Sequence, residues 1–120
     1  MAVSVAVVGS RGFCNYRLLC EKLDELRESV TVKRLVSGGA IGADRLAERY
    51  AAENDLPILV LKPNWRPKGE YVRSAGIQRN RDIVAQADVV VAFWDNHSPG
   101  TRSTIQIARD THKDVRVVSY

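Results

Sequence analysis

Apolar runs and helical faces alternate along the chain. Val3 to Val8 is rich in β-branched residues, with Ser4 as its polar exception. A run without polar alternation marks a strand buried on both faces, as in a parallel sheet. Gly9-Ser10-Arg11-Gly12-Phe13 ends it. A helix is predicted from Tyr16 to Ser29, with Leu19, Leu23, Leu26 and Val30 on one face. Val32 to Val36 reads as the second strand. The second helix buries Ala43, Leu46, Ala47 and Tyr50 at helical spacing, and Leu56-Pro57 closes that excursion. Ile58 to Leu61 reads as a third buried strand. Lys62 to Ser74 holds Pro63, Trp65, Pro67 and Gly69 among charges and has no clear period. It predicts a long loop of the kind that carries function. A third helix is predicted from Ala75 to Ala87, with Gly76, Asn80, Ile83 and Ala87 on one face. Val89 to Phe93 is the strongest strand, Thr101 to His112 the fourth helix, and Val115 to Val118 the last strand.

This alternation predicts an α/β fold, a Rossmann-like three-layer sandwich. Five mainly parallel strands carry helices on both faces, and residues 1–120 form one domain. Right-handed crossovers put every strand-to-helix turn on one edge of the sheet. Ligands in such folds bind outside the carboxyl ends of the strands, where the strand order reverses. The polar glycine turns after strands one, two and four all fall on that edge.

Those turns hold the candidate chemistry. After strand two come Ser37, Gly38, Gly39, Ala40, Ile41, Gly42, Ala43 and Asp44. Glycines let a ligand approach the backbone, and the first turn of a helix offers free N–H groups to an anion. Gly38, Gly39, Ala40 and Gly42 are therefore expected to donate to a phosphate; the alternative is a tight turn without a ligand. Gly100 and Thr101 open helix four and offer a second helix N-terminus. Two such termini facing one cleft suit a diphosphate, or a phosphate plus a ribose. Ser98, Thr101 and Thr104 either cap that helix or give hydroxyls to the ligand. Ser10 and Ser37 have the same two options. Gly9, Ser10 and Arg11 form the cleft floor. Arg11 directly follows a buried strand, so it binds an anion or pairs with Asp44 or Asp95. Arg79 reaches a phosphate or is solvated, while Asn80 shares the inward helix face and needs a partner. Asp44 and Asp95 bind ribose hydroxyls or act as a carboxylate pair; Asp44 is also favoured by its own helix dipole. Trp94 and Trp65 offer flat faces for a base.

Charge and composition narrow the partners. The net charge is +4 and the pI about 9.3. A mildly basic chain suits an anionic ligand, nucleotide or nucleic acid alike. Charged residues make up 27% and hydrophobic ones 45%, as in ordinary globular domains. No apolar run approaches the roughly 20 residues that cross a bilayer. Met1 to Val8 lacks the basic start and cleavage site of a signal peptide. No membrane association is expected. Cys14 and Cys20 suit reduced thiols of a cytoplasmic protein. His97 and His112 supply too few ligands for a metal site. No cofactor is expected: no Walker-type lysine follows the glycines, and the turn after strand one lacks the dinucleotide fingerprint.

Several motifs in this order resemble a known group. They are Gly9-Ser10-Arg11-x-Phe13, Ser37-Gly38-Gly39-Ala40-x-Gly42-Ala43-Asp44, Arg79-Asn80 and Phe93-Trp94-Asp95-x-x-Ser98-x-Gly100-Thr101-x-x-Thr104-Ile105. Together they resemble the small stand-alone branch of the SLOG superfamily, the YspA or YpsA-related domains. The superfamily also holds the lonely-guy phosphoribohydrolases and the DNA-processing protein A family. The resemblance implies a Rossmann-like fold, a site for a nucleotide or its phosphoribosyl part, and homo-oligomers, commonly dimers. Lonely-guy enzymes carry a glutamate where Thr104 stands here, and a threonine hydroxyl cannot replace a carboxylate base. The family often has aspartate at the position of Asn15. The expected function is therefore binding of a nucleotide-type small molecule, as sensor, carrier or sequestering protein. The alternatives are hydrolysis of a nucleoside 5′-monophosphate, with Asp44, Asp95 or Glu70 as the acid, and binding of single-stranded nucleic acid.

Overall fold

The computed structural model describes residues 2–63, 69 and 74–120. Within them, strands and helices alternate: β1 (Ala2–Gly9), α1 (Tyr16–Ser29), β2 (Thr31–Ser37), α2 (Ala43–Glu53), β3 (Ile58–Val60), α3 (Ala75–Ala85), β4 (Val89–Trp94), α4 (Pro99–Asp110) and β5 (Asp114–Ser119). The five strands form one sheet in the order β3-β2-β1-β4-β5, and each neighbouring pair is parallel. The architecture is the Rossmann-like α/β fold that the alternation predicts.

The central strands show why their sequences are continuously apolar. Along β1, Val3, Val5 and Val7 face one side and pack with Leu19, Leu23 and Leu26 of α1 and Ala47 and Tyr50 of α2. Ala6 and Val8 face the other side and pack with Ile83 and Val84 of α3 and Ile105 and Ala108 of α4. The period of two is intact, but both faces are covered, so both sets are apolar. Ser4 is the exception the structure accounts for. Its N–H donates to the Asp88 carboxylate at 2.9 Å, and its hydroxyl accepts from Arg34 Nε at 3.0 Å.

Three expectations shift. β3 is half-buried, not buried, because it forms the sheet edge. Leu46 is half-buried, and the inward face of α2 is Ala43, Asp44, Ala47, Tyr50 and Ala51. Helix α4 begins at Pro99, two residues early, because proline fits the first helical turn, where an N–H has no helical acceptor. Asn15 caps α1, its Oδ1 accepting the Leu18 N–H at 3.0 Å. Trp65 and Glu70 lie outside the described residues. No helix among the described residues is long and apolar enough to cross a membrane.

Candidate functional site

The chain steps outward from β1 through β2 to β3, then returns to the other side of β1 as β4. The strand order reverses between β1 and β4, where open α/β sheets leave a crevice beyond the strand ends. A cavity of about 430 Å³ lies there, within the roughly 300–1,000 Å³ of small-molecule sites. Among the described residues, four segments line it: residues 8–12 at the end of β1 and just beyond it, Ala40 before α2 with Asp44 in its first turn, Arg79, Asn80 and Ile83 of α3, and residues 98–101 with Thr104 at the start of α4.

The turn after β1 is pinned to β4. Ser10 donates its N–H to the Phe93 carbonyl at 3.1 Å and accepts the Asp95 N–H on its hydroxyl at 3.2 Å. Phe13 stacks on Phe93 with ring centroids 4.7 Å apart. Gly9 has no room for a side chain, since a Cβ would lie 2.6 Å from Ala43 Cβ and 2.7 Å from the Phe93 oxygen. Arg11 is left exposed on the cavity rim. It pairs with neither Asp44 nor Asp95, the two partners its position suggests: among the described residues the ion pairs lie elsewhere.

The glycines after β2 serve a purpose the sequence does not reveal. Gly42 has φ +87°, and a Cβ on it would lie 2.5 Å from the Ser10 oxygen. A Cβ on Gly38 would lie 2.4 Å from Arg79 Nη1, and Gly39, at φ +71°, would strike Val60. These glycines let one turn pack against another. Gly38, Gly39, Gly42 and the buried Ser37 do not line the cavity; Ala40 does. The N–H groups here are also engaged from within. Gly39 donates to Ser37 Oγ at 3.2 Å, and Ala40 donates to Asp44 Oδ2 at 3.2 Å.

Asp44 lies on the cavity wall yet is only 7% exposed. Burial lifts its carboxyl to about 6, against the Ala40 N–H and the Arg79 charge, which favour the ionised form. Arg79 is half-buried. Its Nη1 donates to the Gly38 carbonyl at 2.9 Å and its Nε to Asn80 Oδ1 at 3.0 Å. Burial lowers its pKa and nearby Asp44 raises it again. Asn80 thereby finds the partner its inward position requires.

The turn after β4 divides its residues between scaffold and cavity. Asp95 accepts the His97 N–H at 2.8 Å, the Ser98 N–H at 2.7 Å and the Ser98 hydroxyl at 2.9 Å. The Ser98 and His97 backbone donors hold its carboxyl at about 2. Asp95 does not line the cavity and forms no carboxylate pair with Asp44. Trp94 also stays outside: its indole N–H donates to the Ser98 carbonyl at 3.1 Å, and Arg102 lies over its ring at 5.6 Å. Because the Ser98 hydroxyl is turned to Asp95, α4 has no side-chain cap. The first turn of α4, with Gly100 and Thr101, opens into the cavity. The Thr104 hydroxyl donates to the Gly100 carbonyl at 3.1 Å.

Val8, Gly12, Ile83 and Pro99 also line the cavity, four positions that the sequence does not mark as ligand residues. Gly12 shares the turn with Arg11, and Pro99 sits at the helix start beside Gly100. Adjacency to a polar glycine turn was the signal available for both.

The signature of the YspA, cpYpsA-related SLOG family matches residues 3–67. The chain is 35% identical over 113 residues to the Gene 61 protein of Mycobacterium phage D29, covering 88% of this chain and 87% of that protein. Among solved structures it resembles DNA processing protein A from Streptococcus pneumoniae, with a TM-score of 0.78 and 22% identity over 98% of this chain. It also resembles DNA processing protein A from Helicobacter pylori, with a TM-score of 0.72 and 24% identity over 98% of this chain. The chain spans 50% and 66% of those two structures, and these likenesses concern the fold. With the family signature over more than half of its length and the phage protein alike nearly end to end, the chain belongs to the YspA, cpYpsA-related SLOG family.

Proposed function

We propose that the protein binds a nucleotide or nucleotide-derived ligand in the cavity between β1 and β4, as a sensor, carrier or sequestering protein. One observation carries this reading: the uncapped N-terminus of α4 opens into the same cavity as Arg11 and Arg79. Backbone N–H groups, the helix dipole and two guanidinium groups suit a phosphate together. Among the described residues, the charged side chains that line the cavity are two cations, Arg11 and Arg79, and one anion, Asp44. That leaves a surplus for an anionic ligand. The Helicobacter protein of similar fold is described as binding single-stranded DNA, and a nucleotide within a strand presents the same phosphate chemistry. Titration calorimetry against mononucleotides and short single strands is the test. Saturable binding of a phosphorylated ligand, weakened by Arg11→Ala, is expected. No heat with any of them overturns the reading.

A second reading, hydrolysis of the N-glycosidic bond of a nucleoside 5′-monophosphate, draws on Asp44. Its carboxyl titrates at about 6, in the range useful for a general acid or base. Against it, α4 carries Thr104 in place of a carboxylate, with its hydroxyl held by the Gly100 carbonyl. Incubation with the four ribonucleoside 5′-monophosphates, assayed for free base, separates hydrolysis from binding.

A further inference from the structure

Two helices begin at the cavity, and their N-termini are in opposite states. The first turn of α4 is uncapped, and a Cβ on Gly100 would meet nothing within 4 Å. The first turn of α2 already has a fixed negative group. Asp44 belongs to that turn, lines the cavity and accepts the Ala40 N–H. A phosphate at α4 meets donors and positive potential; a second phosphate near α2 meets a buried carboxylate. Like charges in a partly desolvated site repel strongly. Arg79 is already the counter-charge of Asp44, so the uncapped start of α4, with Arg11 on the rim, is the place left for a single phosphate.

The same carboxylate requires something else of the ligand. Asp44 is more than nine-tenths buried, and the Ala40 N–H is its hydrogen-bond donor among the described residues. The Gly38 amide adds a weaker pull on its proton affinity. An ionised carboxylate has about four acceptor sites, so capacity remains on the cavity side. Asn80, 8% exposed and lining the same cavity from α3, has its oxygen fixed by Arg79 Nε. That orientation leaves its NH₂ group as a donor. No buried side-chain nitrogen or oxygen among the described residues lacks a partner, so this NH₂ is reached from the cavity. A carboxylate acceptor and an amide donor in one cavity suit neutral hydroxyls, which both donate and accept. Asp95 cannot take this role, because His97 and Ser98 occupy it.

We propose that Asp44, with Asn80, makes the cavity selective for a ligand bearing one phosphate and a free ribose diol, so that ribonucleotides are preferred over deoxyribonucleotides. This rests on the nucleotide-binding reading above and specifies its ligand class. The phosphate sits at the start of α4 beside Arg11, and the sugar hydroxyls meet Asp44 on the opposite wall.

The test is calorimetry at pH 8 with the four ribonucleoside 5′-monophosphates, their 2′-deoxy counterparts and the matching 5′-diphosphates. The preferred ribonucleotide is expected to bind at least about tenfold tighter than its deoxy form, the scale of losing one hydrogen bond to a charged acceptor. Its diphosphate is expected to bind no better than the monophosphate. In Asp44→Asn the ribose-to-deoxyribose ratio is expected to fall towards one. Arg11→Ala, an exposed rim change, is expected to weaken both forms alike and leave the ratio intact. Equal binding of the ribo and deoxy forms overturns the selectivity while leaving nucleotide binding standing, as does a ratio that survives Asp44→Asn. Absence of binding by every nucleotide overturns both.

Discussion

The Cα of Gly42 faces the carbonyl oxygen of Ser10 so closely that a Cβ there would lie 2.5 Å from it. This contact joins the turn before α2 to the turn after β1, and both turns contribute residues to the cavity lining. Gly42 also has φ +87° and ψ −133°, a region that residues with a Cβ rarely enter. Gly42→Ala is therefore expected to destabilise the protein by about 1–3 kcal/mol from conformation alone, with the clash adding to it. Gly12→Ala, where a Cβ would meet nothing within 4 Å, is expected to stay within about 0.5 kcal/mol of the parent. Urea denaturation of the two variants checks the contrast. Equal stabilities would show that the turn relaxes away from Ser10.

Asp44 gives a stability signature with a definite sign. Its carboxyl titrates at about 6 in the folded chain against an ordinary 3.8. Between those values the folded state holds a proton that the unfolded state has released. Stability therefore falls as pH rises from about 4 to 6 and stays at the lower level above that. The cost of the buried charge is on the order of 2–3 kcal/mol. Asp44→Asn removes it, while the amide oxygen can still accept the Ala40 N–H. The variant is expected to unfold at higher urea than the parent at pH 8 and at a similar concentration at pH 4. A gap that is the same at both pH values would mean that Asp44 ionises without penalty.

Asp95 has the opposite sign. Its carboxyl is held at about 2 by the Ser98 and His97 N–H groups, below the unfolded value. Its contribution is present above about pH 4 and is lost as pH falls towards 2. Asp95→Ala is expected to lower Tm at pH 7, with the difference from the parent shrinking as the solution is acidified. The same variant frees Ser98, which opens α4, so nucleotide affinity is expected to fall with Tm. A Tm series between pH 2 and 7 checks the sign.

The contrast between these two aspartates marks what the sequence could reveal. The alternation of strands and helices was legible because β1 and β4 are covered on both faces, so their apolar runs are unbroken. β3 looked equally apolar, but its place at the edge depends on strand order, which no local run encodes. The three glycine turns were legible as turns, and their convergence followed from the parallel sheet. The reason for each glycine was not. Gly42 answers to Ser10, Gly38 to Arg79 and Gly9 to Ala43, partners far away in sequence. Asp44 and Asp95 likewise looked equivalent, each close to a helix start. Only packing separates them, since burial beside Arg79 puts Asp44 on the cavity wall and the following turn absorbs Asp95.

The two threonines of α4 allow a direct test of which hydroxyl serves the ligand. Both are buried and both line the cavity. The Thr104 hydroxyl donates to the Gly100 carbonyl, whereas the Thr101 hydroxyl has no hydrogen-bond partner among the described residues and is not sealed from the cavity. Valine matches threonine in shape and removes the oxygen. Thr101→Val is therefore expected to keep its Tm and to bind nucleotide about 3- to 10-fold more weakly, the effect of one ordinary hydrogen bond. Thr104→Val is expected to change affinity less, because its hydroxyl is already committed within the helix. Parallel calorimetry and thermal melts of the two variants decide it. A larger affinity loss in Thr104→Val than in Thr101→Val would move the phosphate one helical turn deeper along α4.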